Sequence, residues 1–307
     1  MSGGGEAPAT TDVGDDVSRP TTAERDAGAW AGHDLGERTV AYDERDVILY
    51  ALAVGAEAAD LDLVFEERLR VLPTFALTQA QWAPDALGAL GAFDVATAVH
   101  GSQRLVVRAP LPASGELTMR ARVAAVWDKG SAAVFDVEVE SACFQATWSL
   151  FAPGRGGFGG ERGASRPKPQ ETPADHELRV RTAPNQAALY RLLGDRHHMH
   201  IDPEAAKAAG MPRPFMHGLC TLAAVTLPLA AAVGAHPADL VELEGRFAAP
   251  VFPGDRLDTR AWADTGDGAA VLFEAAADGR TAIAGGRACF RALVRRRSPG
   301  DRGPSSA

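Results

Sequence analysis

The sequence predicts an α+β protein in which one unit, a helix wrapped by an antiparallel sheet, occurs twice. Three observations carry this. From Gln103 to Phe151 the runs RLVVRAP, ELTMRARVAAVW and AAVFDVEVESACFQATWSLF alternate apolar and polar residues, as antiparallel strands with one buried face do. Residues 216–234, MHGLCTLAAVTLPLAAAVG, are apolar almost all round, the pattern of a helix buried inside a domain. Anchors also recur in order. Tyr50 and Tyr190, Ala109-Pro110 and Ala249-Pro250, and Leu117 and Leu257 are each 140 residues apart, while Ala142-Cys143-Phe144 returns as Ala288-Cys289-Phe290 after 146. Two units whose sheets pair edge to edge would also remove exposed edges.

In chain order, residues 1–28 read as an acidic tail too polar to fold. The first unit, 29–153, opens on Asp43–Gly55 with helical periodicity. Its own apolar helix lies less clearly within LPTFALTQAQWAPDALGAL, and the three strand runs follow. Residues 154–175, rich in Gly, Pro and charge, are a linker. Their glycines mimic a nucleotide loop, but no strand-then-helix context with a downstream acid frames them. The second unit, 176–295, holds the most polar and histidine-rich stretch, GDRHHMHID. Pro203 and the following EAAKAAG form a short helix with Pro in its first turn and Gly210 at its end. The buried helix comes next, then strands, and 296–307 is a flexible tail.

Composition narrows the function. At 46% hydrophobic and 23% charged the 307-residue chain is globular, and a formal net charge of −9 argues against nucleic acid as a partner. Cys143, Cys220 and Cys289 form no CxxC pair, which suggests a reducing compartment without a disulfide framework. The N-terminus has no basic start followed by an apolar core, so it does not read as a signal peptide. The longest apolar run, Leu219 to Gly234, carries Thr221, Thr226 and Pro228 and falls short of a membrane span. The expectation is a cytoplasmic protein.

The repeat is informative where it fails. Opposite GDRHHMH of the second copy, the first copy reads AVGAEAADLDL, without the Asp or any His. A motif needed for the fold would occur twice; one present once points to chemistry. Asp195 and His200 on one loop can hold a water between a carboxylate and an imidazole, a general acid–base pair, although an Asp cap beside an exposed His would leave the same residues. His197, His198, His200 and Asp202 also offer metal ligands, but three His in four residues converge on one ion only if the loop folds back. His217-Gly218 begins the buried helix, where free N–H groups suit a carbonyl oxygen or oxyanion, or where glycine simply permits close packing. Cys220 sits on a buried face and is inert by that criterion. Lys129, in a hairpin turn, reads as a solvated charge.

YRLLGDRHHMHIDPEAAKAAG, RPFMHGLCT and RFAAPVFPGDRL, with DVILYALAVGA, VLPTFAL, VHGSQRL and WDKG in the first half, resemble the MaoC-like, type 2 (R)-specific enoyl-CoA hydratases. The resemblance runs from about Asp43 to Val294 and implies a tandem (double) hotdog with a degenerate first half and one active site in the second. It implies hydration of a trans-2-enoyl-CoA, or the reverse dehydration, without metal or organic cofactor. The partner would be an acyl-CoA or acyl-carrier thioester, with no nucleic acid and no membrane; a homodimer is compatible with it. Asp195 and His200 fall on the family's catalytic pair and Gly218 on its oxyanion glycine, while His100, Gly101, Lys129 and Phe247 fall on acyl-CoA contacts. The family pattern is similar to GDxNPLH. Here His197 stands at the Asn, within the active site, and His198 at the Pro. A hotdog thioesterase, a non-catalytic acyl-CoA binder and a His-cluster metallohydrolase are the competing classes.

Overall fold

The computed structural model describes residues 26–165, 168–264 and 270–291. In chain order it comprises β1 (Asp34–Tyr42), α1 (Glu44–Ala53), α2 (Leu61–Val64), α3 (Phe75–Gln79), α4 (Trp82–Ala89), β2 (Val99–Val107), β3 (Gly115–Asp128), β4 (Ala132–Ser141) and β5 (Phe144–Pro153). The second half supplies β6 (His176–Arg181), α5 (Gln186–Tyr190), α6 (Pro203–Ala208), α7 (Gly218–Ala232), β7 (Leu240–Phe247), β8 (Arg256–Ala263), β9 (Ala270–Ala277) and β10 (Arg280–Phe290). Of the tails expected at 1–28 and 296–307 only residues 26–28 are described, with Ala27 buried in a short 3-10 turn that runs to Trp30; the rest lie outside the described residues.

All ten strands form one antiparallel sheet in the order β1-β3-β4-β5-β2-β7-β10-β9-β8-β6. The order is the same read from either end if each strand is exchanged for its counterpart five later. That is the signature of two copies of one unit joined at β2–β7. Across this seam Leu105 faces Leu243, Arg104 faces Glu244, and the Arg104 guanidinium reaches Glu242 at 2.7 Å.

Local sequence explains the elements. Asp43 and Asp46 cap each other's backbone N–H groups at 3.1 Å and start α1. Along β3 Leu117, Met119, Ala121 and Val123 are buried while Thr118, Arg120 and Arg122 face outward. In α6 Asp202 accepts from the Glu204 N–H and Pro203 fills the first position, as expected. Helix α7 is buried on nearly every side because the second half's sheet lies against one face and the first half against another, where Cys220 Sγ meets the Ala53 carbonyl at 3.5 Å. The buried hydroxyls of Thr221 and Thr226 donate back to the His217 and Ala223 carbonyls, which makes them tolerable in an apolar helix.

Two expectations need correction and one gains detail. The first half's central helix is broken into α3 and α4 rather than continuous. The linker's glycines are docked: Gly157 and Gly159 N–H groups donate to the Asp128 carboxylate at 2.9 and 2.8 Å, so the apparent nucleotide loop holds the chain's own anion. The fourth repeat anchor is coincidental. Phe144 begins β5 opposite Val107, and the residue opposite Phe247, 140 positions later, is Ile283; Phe290 lies at the other end of β10. The other three anchors hold, and the rings of Tyr50 and Tyr190 meet at 6.0 Å. Among the described residues no helix is long and apolar enough to cross a membrane.

Candidate active site

A cavity of about 680 Å³ lies between the halves. Most of its polar lining belongs to the second half, with Asp195, His197, His200, His217 and Gly218. Much of its apolar wall comes from the first, including Pro84, Phe93, Val99, Trp148 and Leu150.

The loop that carries the site is bent by Gly194, at φ 146°. A Cβ there would also lie 3.0 Å from the Thr78 carbonyl oxygen of α3, so only glycine serves at this position. The turn presents Asp195, whose Oδ1 accepts from the His197 backbone N–H at 3.2 Å and from its Nδ1 at 2.5 Å. His200 ends a 3-10 turn and is buried; its Nδ1–H donates to the Phe215 carbonyl at 2.8 Å, which leaves Nε2 as the lone-pair nitrogen. His217 precedes α7 and donates Nε2–H to the Asp195 backbone carbonyl at 3.1 Å. Its ring stacks on His200 with centroids 3.8 Å apart, and Nδ1 is buried without a partner among the described residues.

The surroundings divide these groups by charge. Burial pushes the Asp195 carboxyl up, but the hydrogen bond from His197 and the nearby imidazoles outweigh it and hold the group well below the usual carboxylate range. The same hydrogen bond raises the His197 imidazole above its ordinary value. Burial lowers His200, and it lowers His217 to about 3. The arrangement is a carboxylate with an imidazole that favours its protonated form at the outer side, and two imidazoles that favour their neutral form at the inner side.

Asp195, His200 and His217 each offer one ligand-type atom within 4.8 Å of the others. Tetrahedral zinc sets its nitrogen and oxygen ligands about 3.3 Å apart, whereas these three atoms are gathered only to within 4.8 Å, on two rings tilted by 32° to each other. Water fits better: one held at about 2.8 Å from each of two atoms bridges separations up to about 5.6 Å. The four metal candidates read from the sequence are not gathered, since His198 is exposed and Asp202 caps α6.

Gly218 is the first residue of the 15-residue α7, and its N–H has no protein acceptor among the described residues. A Cβ on it would fall 3.0 Å from the Phe247 ring, so both sequence readings of this glycine hold: it admits close packing and leaves the helix N-terminus open to the cavity. His100 meets Phe247 edge to face at 4.8 Å and lines the cavity, with burial lowering it to about 4. Gly101 and Lys129 do not line it. Gly101 occupies a β-bulge between β2 and β5, and the Lys129 ammonium donates to the Arg162 carbonyl of the linker. Cys220 is fully buried, with its thiol raised by burial, and offers no nucleophile. Sequence reading missed Asp85 of α4, which brings a carboxylate from the first half to the cavity wall; Gln81, Pro84 and Asp85 read as ordinary helix sequence.

Comparison with known proteins agrees with this architecture. Residues 40–152 match the family described as the MFE-2 hydratase 2 N-terminal domain, and residues 166–276 match the MaoC like domain. The chain is 38% identical over 239 residues to 3-hydroxyacyl-thioester dehydratase Y of Mycobacterium tuberculosis, spanning 72% of this chain and 82% of that protein. It is 35% identical over 263 residues to the peroxisomal enoyl-CoA hydratase 2 of Arabidopsis thaliana, spanning 75% and 84%. A MaoC-like dehydratase from Phytophthora capsici superposes with a TM-score of 0.76 at 26% identity, covering 85% of this chain and 96% of that one.

Proposed function

Since the chain belongs to the MaoC-like dehydratase family in its double-hotdog form, we propose that it is a hydro-lyase adding water (R)-specifically across the double bond of a trans-2-enoyl-CoA, and catalysing the reverse dehydration. The observation that carries this reading is the convergence of Asp195, His200 and the free Gly218 N–H on one cavity with an apolar wall.

The geometry suits the reaction step by step. The thioester carbonyl accepts from the Gly218 N–H at the start of α7, where the helix dipole also favours the negative charge that develops on that oxygen during addition. Asp195 and His200 Nε2 hold one water between them. Asp195 takes a proton from it as the oxygen attacks C3, and a proton reaches C2 from the same face through the pair. His200 is suited to this because its Nδ1–H is committed to Phe215, which fixes the ring and its tautomer. The acyl chain lies along Phe93, Val99, Trp148 and Leu150, so the half that lost the catalytic residues shapes the substrate pocket.

The test is loss of enoyl-thioester absorbance with short and long trans-2-enoyl-CoA substrates. Asp195→Asn and His200→Gln should each lower kcat by about 100- to 10,000-fold, with circular dichroism and melting unchanged in form. A variant retaining near-wild-type turnover would remove that residue from the mechanism. Release of free CoA without hydration would instead mark a thioesterase.

A further inference from the structure

The histidine beside Asp195 is the feature that the reaction itself does not require. We infer that His197 controls the strength of Asp195 as a proton acceptor: while the imidazole is protonated Asp195 is a weak base, and loss of that proton strengthens it. The inference rests on the hydratase reading for its effect on rate, but the coupling between the two side chains does not.

Geometry supports it first. His197 places two donors, its backbone N–H and Nδ1, on the same oxygen, Oδ1, at 3.2 and 2.5 Å. Oδ2 has no protein partner among the described residues and is the oxygen available to a water. The His197 side chain is 51% exposed, so it exchanges its proton with solvent directly, whereas the carboxylate beneath it is only 17% exposed. An asparagine at this position would offer an amide donor but never a charge.

The groups facing His197 set its state. Asp195 on its own loop and Asp85 from α4 both favour the imidazolium, and partial burial opposes it. Asp85 is itself raised by its burial, lowered by the hydrogen bond from Gln81, and influenced by Arg38 of β1. His200 and His217 are held neutral by burial and add no competing charge near neutral pH. A histidine between two carboxylates from different halves of the molecule therefore keeps its proton above the usual imidazole range.

The consequence is a rate that rises with pH through the deprotonation of His197. A neighbouring cation lowers a carboxylate by about one to three pKa units. If half of that change appears in the rate, as in typical Brønsted behaviour, the effect is about 3- to 30-fold. His197 acts through Asp195 and is a positioning residue; it does not touch the substrate's reacting atoms in this scheme.

The experiment is a kcat/KM profile from about pH 5.5 to 9.5 for wild type, His197→Asn and Asp85→Asn. Wild type should show a rising limb above the ordinary imidazole range. His197→Asn should lack that limb and run about 3- to 30-fold faster than wild type near pH 6. Asp85→Asn should move the limb to lower pH, because removing a facing carboxylate makes the proton easier to lose. A His197→Asn enzyme slower at every pH, with a wild-type-shaped profile, overturns the inference. A second readout needs no turnover: in protein with carbon-13-labelled aspartate carboxyls, the Asp195 resonance should titrate at higher pH in His197→Asn than in wild type. An unchanged titration overturns the inference, whereas normal coupling in a wild type that hydrates no enoyl-CoA overturns only the hydratase reading.

Discussion

At the scale of single residues, the repeat separates what the fold needs from what the chemistry needs. Both copies end the helix after their paired tyrosine on a glycine with positive φ, Gly55 at 107° and Gly194 at 146°. Only the second copy follows it with an acid and histidines. That contrast singled out Asp195 and His200 as candidates without coordinates, and both line the cavity. Gly218 was legible as a helix start, but its contact with Phe247 was not, because that neighbour lies 29 residues away on another element. Gly218→Ala tests the contact. The added methyl must displace the Phe247 ring or the start of α7, and either moves the N–H proposed to donate to the thioester carbonyl. Removing one such donor costs about 100- to 1,000-fold in kcat, and a displaced one should cost about 10- to 100-fold. Stopped-flow hydration assays should show that loss with little change in melting temperature; an unaltered kcat would exclude the backbone donor at 218.

At the scale of elements, strands with one buried face were readable and those at the margins were not. β6 alternates only between half-buried and exposed, and β1 carries three consecutive exposed residues, so neither has the apolar alternation that identified β3, β4 and β5. The break between α3 and α4 was equally hidden, since each piece is as apolar as a continuous helix would be. The false triplet repeat shows a further limit: matching letters at a shifted spacing cannot reveal which end of a strand they occupy. The seam between β2 and β7 is the element pair with most at stake. Leu105 and Leu243 are fully buried there and face each other across the join. Leu243→Ala should cost about 2–5 kcal/mol. Because the sheet is continuous, urea unfolding followed by tryptophan fluorescence should remain a single transition at a lower midpoint. Two separated transitions would show that the halves are energetically independent.

For the whole molecule, buried histidines fix how stability responds to acid. His100 and His217 are lowered to about 4 and about 3, so the unfolded chain binds protons below its ordinary imidazole value of about 6.5 that the native state refuses. Stability is therefore lost as pH falls from about 6.5 toward 4, by up to about 1.4 kcal/mol per pH unit for each site. His197, raised in the native state, acts in the opposite sense: its contribution is complete below about 6.5 and disappears as pH rises through its folded value. Melting temperatures recorded from pH 4 to 9 should fall steeply on the acid side, and His217→Gln should flatten that fall; an equally steep acid limb in the variant would mean that other groups carry it. The continuous sheet has one more consequence. β5 and β6 are consecutive in sequence but six strand positions apart, about 29 Å at ordinary strand spacing, so the intervening segment is a tether and not part of the join. A polypeptide severed within that tether should survive as a two-chain complex, and the two fragments, expressed separately, should complement each other to rebuild a single working pocket.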